Sequence, residues 1–280
     1  MRRRLARKAT WGFVALALAV GSAVATSGSR VGIAILRAAP QDQSPCACTW
    51  IGHETDMEEY LRTAKVARME DVPLGVTKPK RGFFEPGGPI ASFAWKQLPP
   101  GLKQGYWESY KAEIAAYELD KLLDLHMVPP TVERRIDSER GAAQQWVEHV
   151  KGWDMKKPAQ GPEPGWSKQV SRMKLFDQLT ANIDRNEGNL IYDSDWHLIL
   201  IDHSRAFTDR KDLKGPAQPG RIDKQLWDKM DALTLDQVQG ALGPWLGKKE
   251  TNAILARRDK MREAIRRMVA QRGEASVFLQ

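Results

Sequence analysis

The chain has 280 residues, of which 42% are hydrophobic and ten are tryptophan, and its formal net charge is +8 at pH 7. This apolar content excludes a wholly disordered chain, and the length suits one domain with a sizeable core or two small lobes. Residues 1–25 contain five basic residues and no acids, so without them the charge of +8 falls to +3. Such a small excess is not the footprint of a nucleic-acid-binding protein, and no nucleic-acid partner is expected.

The N-terminal segment has the pattern of an export signal. A basic cluster precedes an apolar run from Trp11 to Ala25, which ends in the small-x-small sequence Ala23-Val24-Ala25 of signal peptidase sites. The sequence therefore predicts a signal peptide over residues 1–25 and a protein exported to the periplasm, the exterior or the lumen of the secretory pathway. The alternative is an uncleaved membrane anchor over residues 11–27, which is only slightly shorter than the about 20 residues that span a bilayer.

Residues 26–53 are predicted to form a linker that contains the only two cysteines, Cys46 and Cys48. One intervening residue makes a relaxed disulfide between them difficult. Without a nearby histidine or further cysteine, a zinc site is not expected. The two cysteines are therefore expected to be exposed thiols or to bridge to another molecule.

Several elements are predicted between residues 54 and 150. Glycine and proline punctuate a pair of possible strands between Pro73 and Gly88, and the segment from Ile90 to Lys96 is typical of a strand that ends in a single lysine. Residues 109–125 predict a helix with an apolar stripe. Residues 142–150 predict a last strand and the connection that follows it.

The second half of the chain is predicted to be mainly helical. A Pro/Gly-rich loop over 151–168 precedes a helix over 169–181, and a charged, Gly/Pro-rich segment occupies 208–221. Three further helices are expected near 222–233, 235–246 and 248–271, with Thr234 and Thr251 as caps. The basic run on the last helix, from Arg257 to Arg267, is predicted to be a solvated face.

Two acids and one amide stand out in residues 175–207, namely Asp184, Asn189 and Asp202. The sequence NLIYDSDWHLILID predicts two short strands around a polar turn, and a hairpin of this kind makes Asn189 and Asp202 neighbours. A short D-x4-N pattern can also be a plain turn between a helix and a strand. The ordered series of helix, loop, hairpin and an acid that ends a buried apolar run favours a functional site.

These residue types suit one kind of chemistry. Carboxylate and amide oxygens are the ligands that Mg²⁺ or Mn²⁺ prefers when it bridges the phosphates of ATP, and Asp202 and Asn189 can supply them. Asp184 can orient an acceptor hydroxyl group and take its proton, a role worth roughly 10²–10⁴ in rate. The residues therefore predict ATP-dependent, metal-requiring transfer of a phosphoryl group.

The motifs Asp184-Arg185-Asn186-Glu187-Gly188-Asn189 and Asp202-His203-Ser204 resemble the catalytic loop and the metal-binding motif of the protein-kinase-like superfamily. They are most similar to phosphatidylinositol kinases and to secretory-pathway kinases of the Golgi casein kinase and four-jointed type. Asn186 stands where a histidine is common, and His203-Ser204 replaces Phe-Gly, which leaves the metal ligands intact. The resemblance implies that Asp184 and Arg185 are catalytic and that Asn189 and Asp202 bind the metal.

The resemblance also implies a charged pair that serves the nucleotide. Lys96 would contact the ATP phosphates, and Glu113 on the predicted helix would be its acidic partner. Glu118, on the opposite side of the apolar stripe, is the alternative partner, although it could instead pair with Lys121 one turn on.

The remaining nucleotide contacts follow from order in the chain. Backbone amides of residues 75–77, together with Lys78, would cradle phosphate, but the G-x-G-x-x-G pattern is missing and a plain basic hairpin fits the sequence equally well. Main-chain groups near Val147 and Val150 would meet the edge of the adenine.

The expected fold class is α+β, a two-lobed kinase-like fold with a small, mostly β N-lobe that contains one main helix and a mainly helical C-lobe. The N-lobe is assigned to residues 54–150, the C-lobe to 151–272 and a tail to 273–280. The expected protein is an exported kinase that acts on a hydroxyl group of a protein or a glycan, with a lipid head group as a further acceptor class. The alternative is an inactive pseudokinase that binds or scaffolds.

Overall fold

The computed structural model describes residues 50–73, 79–153, 160–213 and 220–280, without the side chain of Glu187. The predicted export signal, most of the predicted linker and both cysteines lie outside these ranges. Within them, no helix combines the length and the apolar character needed to cross a membrane.

A sheet and two helices make up the first part of the structure. The elements in chain order are α1 (Glu54–Thr63), β1 (Val66–Asp71), β2 (Lys80–Phe84), β3 (Ser92–Lys96), β4 (Gly101–Lys103), β5 (Tyr106–Glu108), α2 (Tyr110–Leu123), β6 (Thr131–Ile136) and β7 (Glu139–Gln145). Five strands form one antiparallel sheet in the order β1-β2-β3-β7-β6. Strands β4 and β5 form a separate hairpin between β3 and α2.

The two helices pack on opposite faces of this sheet. Trp95 pairs with Ala143, and both lie in a core that includes Leu61 of α1. Lys96 pairs with Ala142, which packs with Ile114 of α2. Because successive side chains of a strand point to opposite faces, β3 directs Trp95 towards α1 and Lys96 towards α2.

Helix α2 begins and ends close to the predicted limits of 109 and 125. The Ser109 side chain caps it by accepting a hydrogen bond from the Lys111 amide at 3.0 Å, and Asp124 ends it in the left-handed conformation. Alanines on its buried stripe let the helix approach its neighbours closely. The backbone of Ser109 also ties the start of α2 to the residues after Asp202, because its amide donates to the carbonyl of Ser204 at 3.0 Å.

The second part is mainly helical. Its elements are β8 (Lys151–Gly152), α3 (Gly165–Thr180), β9 (Leu190–Tyr192), β10 (Leu198–Leu200), β11 (Ile222–Asp223), α4 (Lys224–Asp231), α5 (Leu235–Leu242), α6 (Lys248–Arg272), α7 (Glu274–Val277) and β12 (Phe278–Leu279). Strands β9 and β10 form the predicted hairpin, with β8 beside β9. The predicted α+β arrangement of a sheet part and a helical part is therefore present.

Three predicted limits differ from the structure. The first strand of the predicted pair, β1, lies at 66–71 and thus before Pro73. The sequence did not indicate it, because a largely exposed edge strand has no apolar alternation. Helix α3 begins at Gly165 rather than 169, since a proline such as Pro164 is compatible with a helix start. Residues 273–280 were predicted to be a tail, but β12 pairs with β11 in parallel.

Two predictions about the last helix are also wrong. Thr251 is not a cap: it lies inside α6, where its hydroxyl group donates to the carbonyls of Gly247 and Lys248. Arg257 is not solvated but fully buried. Its Nε atom donates to the carbonyl of Leu179 at 2.8 Å and its Nη1 atom to the carbonyls of Thr208 and Arg210, so backbone dipoles offset part of the cost of burying its charge.

A buried acid near the end of α2 gives a testable pH dependence. Asp120 is 3% exposed and accepts a hydrogen bond from the Met127 amide at 3.0 Å. Burial raises the pKa of Asp120 to about 7 from an ordinary value of 3.8. Between these values the folded protein binds a proton that the unfolded chain lacks, so the free energy of unfolding falls as pH rises from about 4 to about 7, by at most about 4 kcal/mol.

We expect Asp120→Asn to remove this part of the pH dependence, because asparagine carries no titrating proton. Denaturant unfolding of both proteins at pH 5 and pH 8 measures the effect. The variant should gain stability relative to the wild type at the higher pH. Parallel pH profiles for the two proteins would contradict the expectation.

Candidate active site

One lysine lies between two carboxylates where the two parts of the structure meet. The Lys96 Nζ atom is 2.6 Å from Oε1 of Glu113 and 2.8 Å from Oδ1 of Asp202. Only 9% of the Lys96 side chain is exposed, compared with 27% for Asp202. The structure thus brings together three of the residues singled out from the sequence, although Lys96 and Asp202 are 106 positions apart.

The charges of this trio depend on one another. Burial alone would lower the pKa of Lys96, but the Asp202 and Glu113 carboxylates outweigh it and raise that pKa. Burial would likewise raise the pKa of Asp202, but Lys96 lowers it to about 2. Burial raises the pKa of Glu113, and Asp202 adds to this effect. Lys96 and Asp202 are therefore both ionised near neutral pH.

Glu113 makes two contacts with its two carboxylate oxygens. Oε1 accepts from Lys96, and Oε2 accepts from the backbone amide of His203 at 2.9 Å. Glu118, the alternative partner, is instead 3.1 Å from Lys121. The distinction follows from burial, because Glu113 is 1% exposed whereas 22% of the Glu118 side chain is exposed.

The loop after α3 positions Asp184 and Asn189. A short 3₁₀ turn over Glu187–Asn189 leads directly into β9. The Asn189 side chain is buried, and its Nδ2 atom donates to the carbonyl of Asp184 at 2.8 Å. The Asp184 side chain remains 32% exposed. Asp184 therefore presents a carboxylate that solvent or a substrate can reach.

The side chain of Arg185, which was predicted to be catalytic, is buried. Its side chain is 2% exposed and forms an ion pair with the fully buried Asp177 at 2.9 Å. The same guanidinium donates to the carbonyls of Asn189 and Ile201, at 2.9 and 2.8 Å. Arg185 thus ties the loop to the residue before Asp202, and its side chain is closed off from solvent.

The backbone around Asp202 is unusual. Asp202 and Phe207 have φ angles of +60°, in the left-handed region that side chains other than glycine seldom occupy. The Ser204 hydroxyl donates to Oδ1 of Asp202 at 3.2 Å, and the Phe207 amide donates to the carbonyl of Thr180 at 2.7 Å. Such strain persists where surrounding contacts hold it, often at functional sites.

Solved structures share this arrangement of a sheet, helix α2 and a helical part. A hydra Fam20 structure with sugar has a TM-score of 0.66 and 16% identity over 80% of this chain and 91% of its own. The Golgi casein kinase with Mn/ADP bound has a TM-score of 0.62 and 15% identity over 81% of this chain and 78% of its own. The chain has a protein-kinase-like fold. No protein-family model and no curated protein sequence matches it.

In this kinase-like fold, the face of the sheet that carries Lys96 also carries an aromatic and cationic patch that the sequence reasoning missed. Arg81 pairs with Ala94 on β3, so it shares the face of Lys96. Its guanidinium contacts the Ser92 hydroxyl at 2.8 Å and the Glu148 carboxylate, and its Cζ atom lies 4.3 Å from the centroid of the Trp146 ring. No short motif marks these residues, which only the strand register brings together.

The other nucleotide-binding predictions have mixed outcomes in the structure. Lys78 and the turn over 75–77 lie outside the described residues. The Val147 side chain is buried in the core with Phe93, and Val150 packs against that core, so only their main-chain groups remain available to a base. Strand β7 ends at Gln145, so it includes only the first four residues of the span 142–150 that was predicted as a strand and its following connection.

The donor set of the kinase-like fold fits a divalent cation. Asp202 shares the ammonium group of Lys96 with Glu113, is ionised, and has a side chain that is 27% exposed, so its carboxylate remains accessible to a cation. Asn189 uses Nδ2 to bind Asp184, and within the described residues its Oδ1 atom accepts no hydrogen bond. An amide oxygen and an ionised carboxylate are hard oxygen ligands of the kind that Mg²⁺ and Mn²⁺ prefer.

Proposed function

We propose that the protein is a phosphotransferase that moves the γ-phosphoryl group of ATP to a hydroxyl group. The observation that carries this proposal is the buried contact of Lys96 with both Glu113 and Asp202, beside the exposed carboxylate of Asp184. A lysine whose positive charge is stabilised by two acids suits phosphate binding, and an exposed acid nearby suits proton transfer from an acceptor hydroxyl group.

Each residue has a defined task in this reaction. Lys96 binds the nucleotide phosphates, and Glu113 keeps the lysine in place. The acceptor oxygen forms a bond to the γ-phosphorus, the bond between that phosphorus and the β–γ bridging oxygen breaks, and its electron pair leaves with ADP. The hydroxyl proton passes to the carboxylate of Asp184.

Asp202 and Asn189 are proposed to hold Mg²⁺ or Mn²⁺, which would neutralise negative charge on the phosphates. The Golgi casein kinase, which has a similar fold, was crystallised with Mn/ADP bound, and this supports the proposed class of nucleotide and metal. The acceptor is proposed to be a protein or glycan hydroxyl group, in line with the sugar in the Fam20 structure and the casein kinase name. Export is proposed from the N-terminal pattern of residues 1–25.

The test is transfer from γ-labelled ATP by the full chain. The protein is incubated with Mn²⁺ or Mg²⁺ and three separate acceptor classes: unfolded proteins rich in serine and threonine, glycans, and lipid vesicles. Label that appears in protein or glycan, and that is absent when a chelator is added, supports the proposal. Metal-dependent nucleotide binding without transfer to any acceptor would instead favour the pseudokinase, and absence of nucleotide binding would contradict the phosphotransferase.

A further inference from the structure

Arg205 joins two carboxylates that come from different parts of the fold. Its Nε atom donates to Oε1 of Glu108 on β5 at 2.7 Å, and its Nη1 atom donates to Oδ2 of Asp184 at 3.0 Å. The Tyr106 ring covers the guanidinium, with 4.6 Å from Cζ to the ring centroid. The Arg205 side chain is 16% exposed. Arg205 therefore connects the β4–β5 hairpin to the proposed proton acceptor.

Glu108 fixes the direction in which this guanidinium points. Its side chain is only 5% exposed, and within the described residues its carboxylate contacts Arg205 alone. A buried carboxylate without a cation is costly, so Glu108 holds the arginine firmly. The planar fork of arginine can bind one carboxylate through Nε and Nη2 while Nη1 reaches another, which the single ammonium of lysine cannot reproduce.

The Asp184 carboxylate depends on this contact. Apart from Arg205, its described partner is the Asn186 side chain, whose Nδ2 atom lies at a long 3.3 Å from Oδ1. The side chain is partly exposed and would otherwise rotate freely about its bonds. Binding of Oδ2 by Arg205 leaves Oδ1 as the oxygen that can take a proton from an acceptor. Small errors in the position of a reacting group are costly in rate.

We propose that Arg205 is a positioning residue for phosphoryl transfer, which holds Asp184 in the orientation that accepts the hydroxyl proton. This inference rests on the phosphotransferase function proposed above. As the acceptor oxygen bonds to the γ-phosphorus and the bond to the β–γ bridging oxygen breaks, the proton moves to Oδ1 of Asp184 and ADP departs. Arg205 keeps its own protons throughout and touches neither the nucleotide nor the phosphorus.

A purely structural contact between the hairpin and the loop would behave differently. It would change stability, and its loss would affect nucleotide binding and turnover together. A positioning role changes kcat and leaves nucleotide affinity unaltered, because Arg205 contacts neither Lys96 nor Glu113 through a hydrogen bond. The ratio of these two quantities separates the roles.

The experiment compares Arg205→Lys with wild type in the full chain, measuring kcat, KM for ATP, nucleotide affinity and Tm. We expect kcat to fall about 10- to 100-fold with nucleotide affinity unchanged within about twofold. Arg134→Lys is the matched control, because Arg134 is part-buried and binds the carbonyls of Leu61 and Ala64 away from Asp184. That control should lose stability and keep the wild-type kcat.

Glu108→Gln provides a second variant with nearly the same shape and no charge. It should lower kcat by a smaller factor, and its effect should nearly vanish in the Arg205→Lys background, because both changes release the same carboxylate. An active wild type with unchanged kcat in Arg205→Lys overturns the inference alone. If Arg205→Lys does not fold, unchanged kcat in Glu108→Gln overturns it, and a wild type without any transfer overturns the proposed function as well.

Discussion

Asp184→Asn is expected to reduce kcat by roughly 10²–10⁴ while the protein still binds nucleotide and metal. Asparagine has nearly the same shape as aspartate, but its neutral amide cannot take up the proton of the acceptor hydroxyl group. The side chain lies in the loop after α3 and makes no hydrogen bond to Lys96 or Asp202 in the described structure, so the nucleotide site stays assembled. Steady-state transfer and direct nucleotide binding measure the two properties separately.

The matched control is Asp137→Asn. Asp137 is exposed in the β6–β7 turn and has a φ angle of +52°, which asparagine also tolerates. This variant should retain the wild-type kcat. Comparable turnover in Asp184→Asn and the wild type would remove Asp184 from the mechanism.

Asp202→Asn is expected to abolish the metal-dependent part of nucleotide binding. Groups that only support metal ligands contribute about 10- to 100-fold to metal affinity, so loss of a ligand carboxylate should exceed about 100-fold. The change also removes the negative charge of Asp202 beside Lys96, while Glu113 remains to hold the lysine. Titration of labelled nucleotide with and without Mn²⁺ measures the effect.

Asp236→Asn serves as the control, because Asp236 is an exposed acid in the first turn of α5. It should bind metal and nucleotide as the wild type does. Equal metal dependence in the Asp202 variant and the wild type would exclude Asp202 as a ligand.

Local patterns predicted the elements that carry the site. The apolar runs on either side of a polar turn predicted the β9–β10 hairpin, and the segment that ends in a single lysine, Lys96, predicted β3. The apolar stripe of residues 109–125 predicted α2 within two residues at each end. These features depend on residues close in sequence, which is why they could be predicted from it.

Long-range contacts could not be predicted in the same way. Glu113 and Glu118 are both acids on one helix, and only the packing of α2 against the sheet distinguishes them. Arg205 and Glu108 are 97 residues apart, and neither belongs to a short pattern. Arg257 was predicted to be solvated because its neighbours are basic, yet three backbone carbonyls in the fold compensate its charge.

The two contacts of Glu113 limit how α2 can move. One carboxylate holds both the lysine of β3 and the backbone beside Asp202, so an outward shift of the helix releases the two together. The contact of α2 with Lys96 and its contact with the backbone beside Asp202 are therefore made or lost together. A compound that moves α2 away from the sheet would release the lysine and the backbone next to Asp202 in one step, without binding between them.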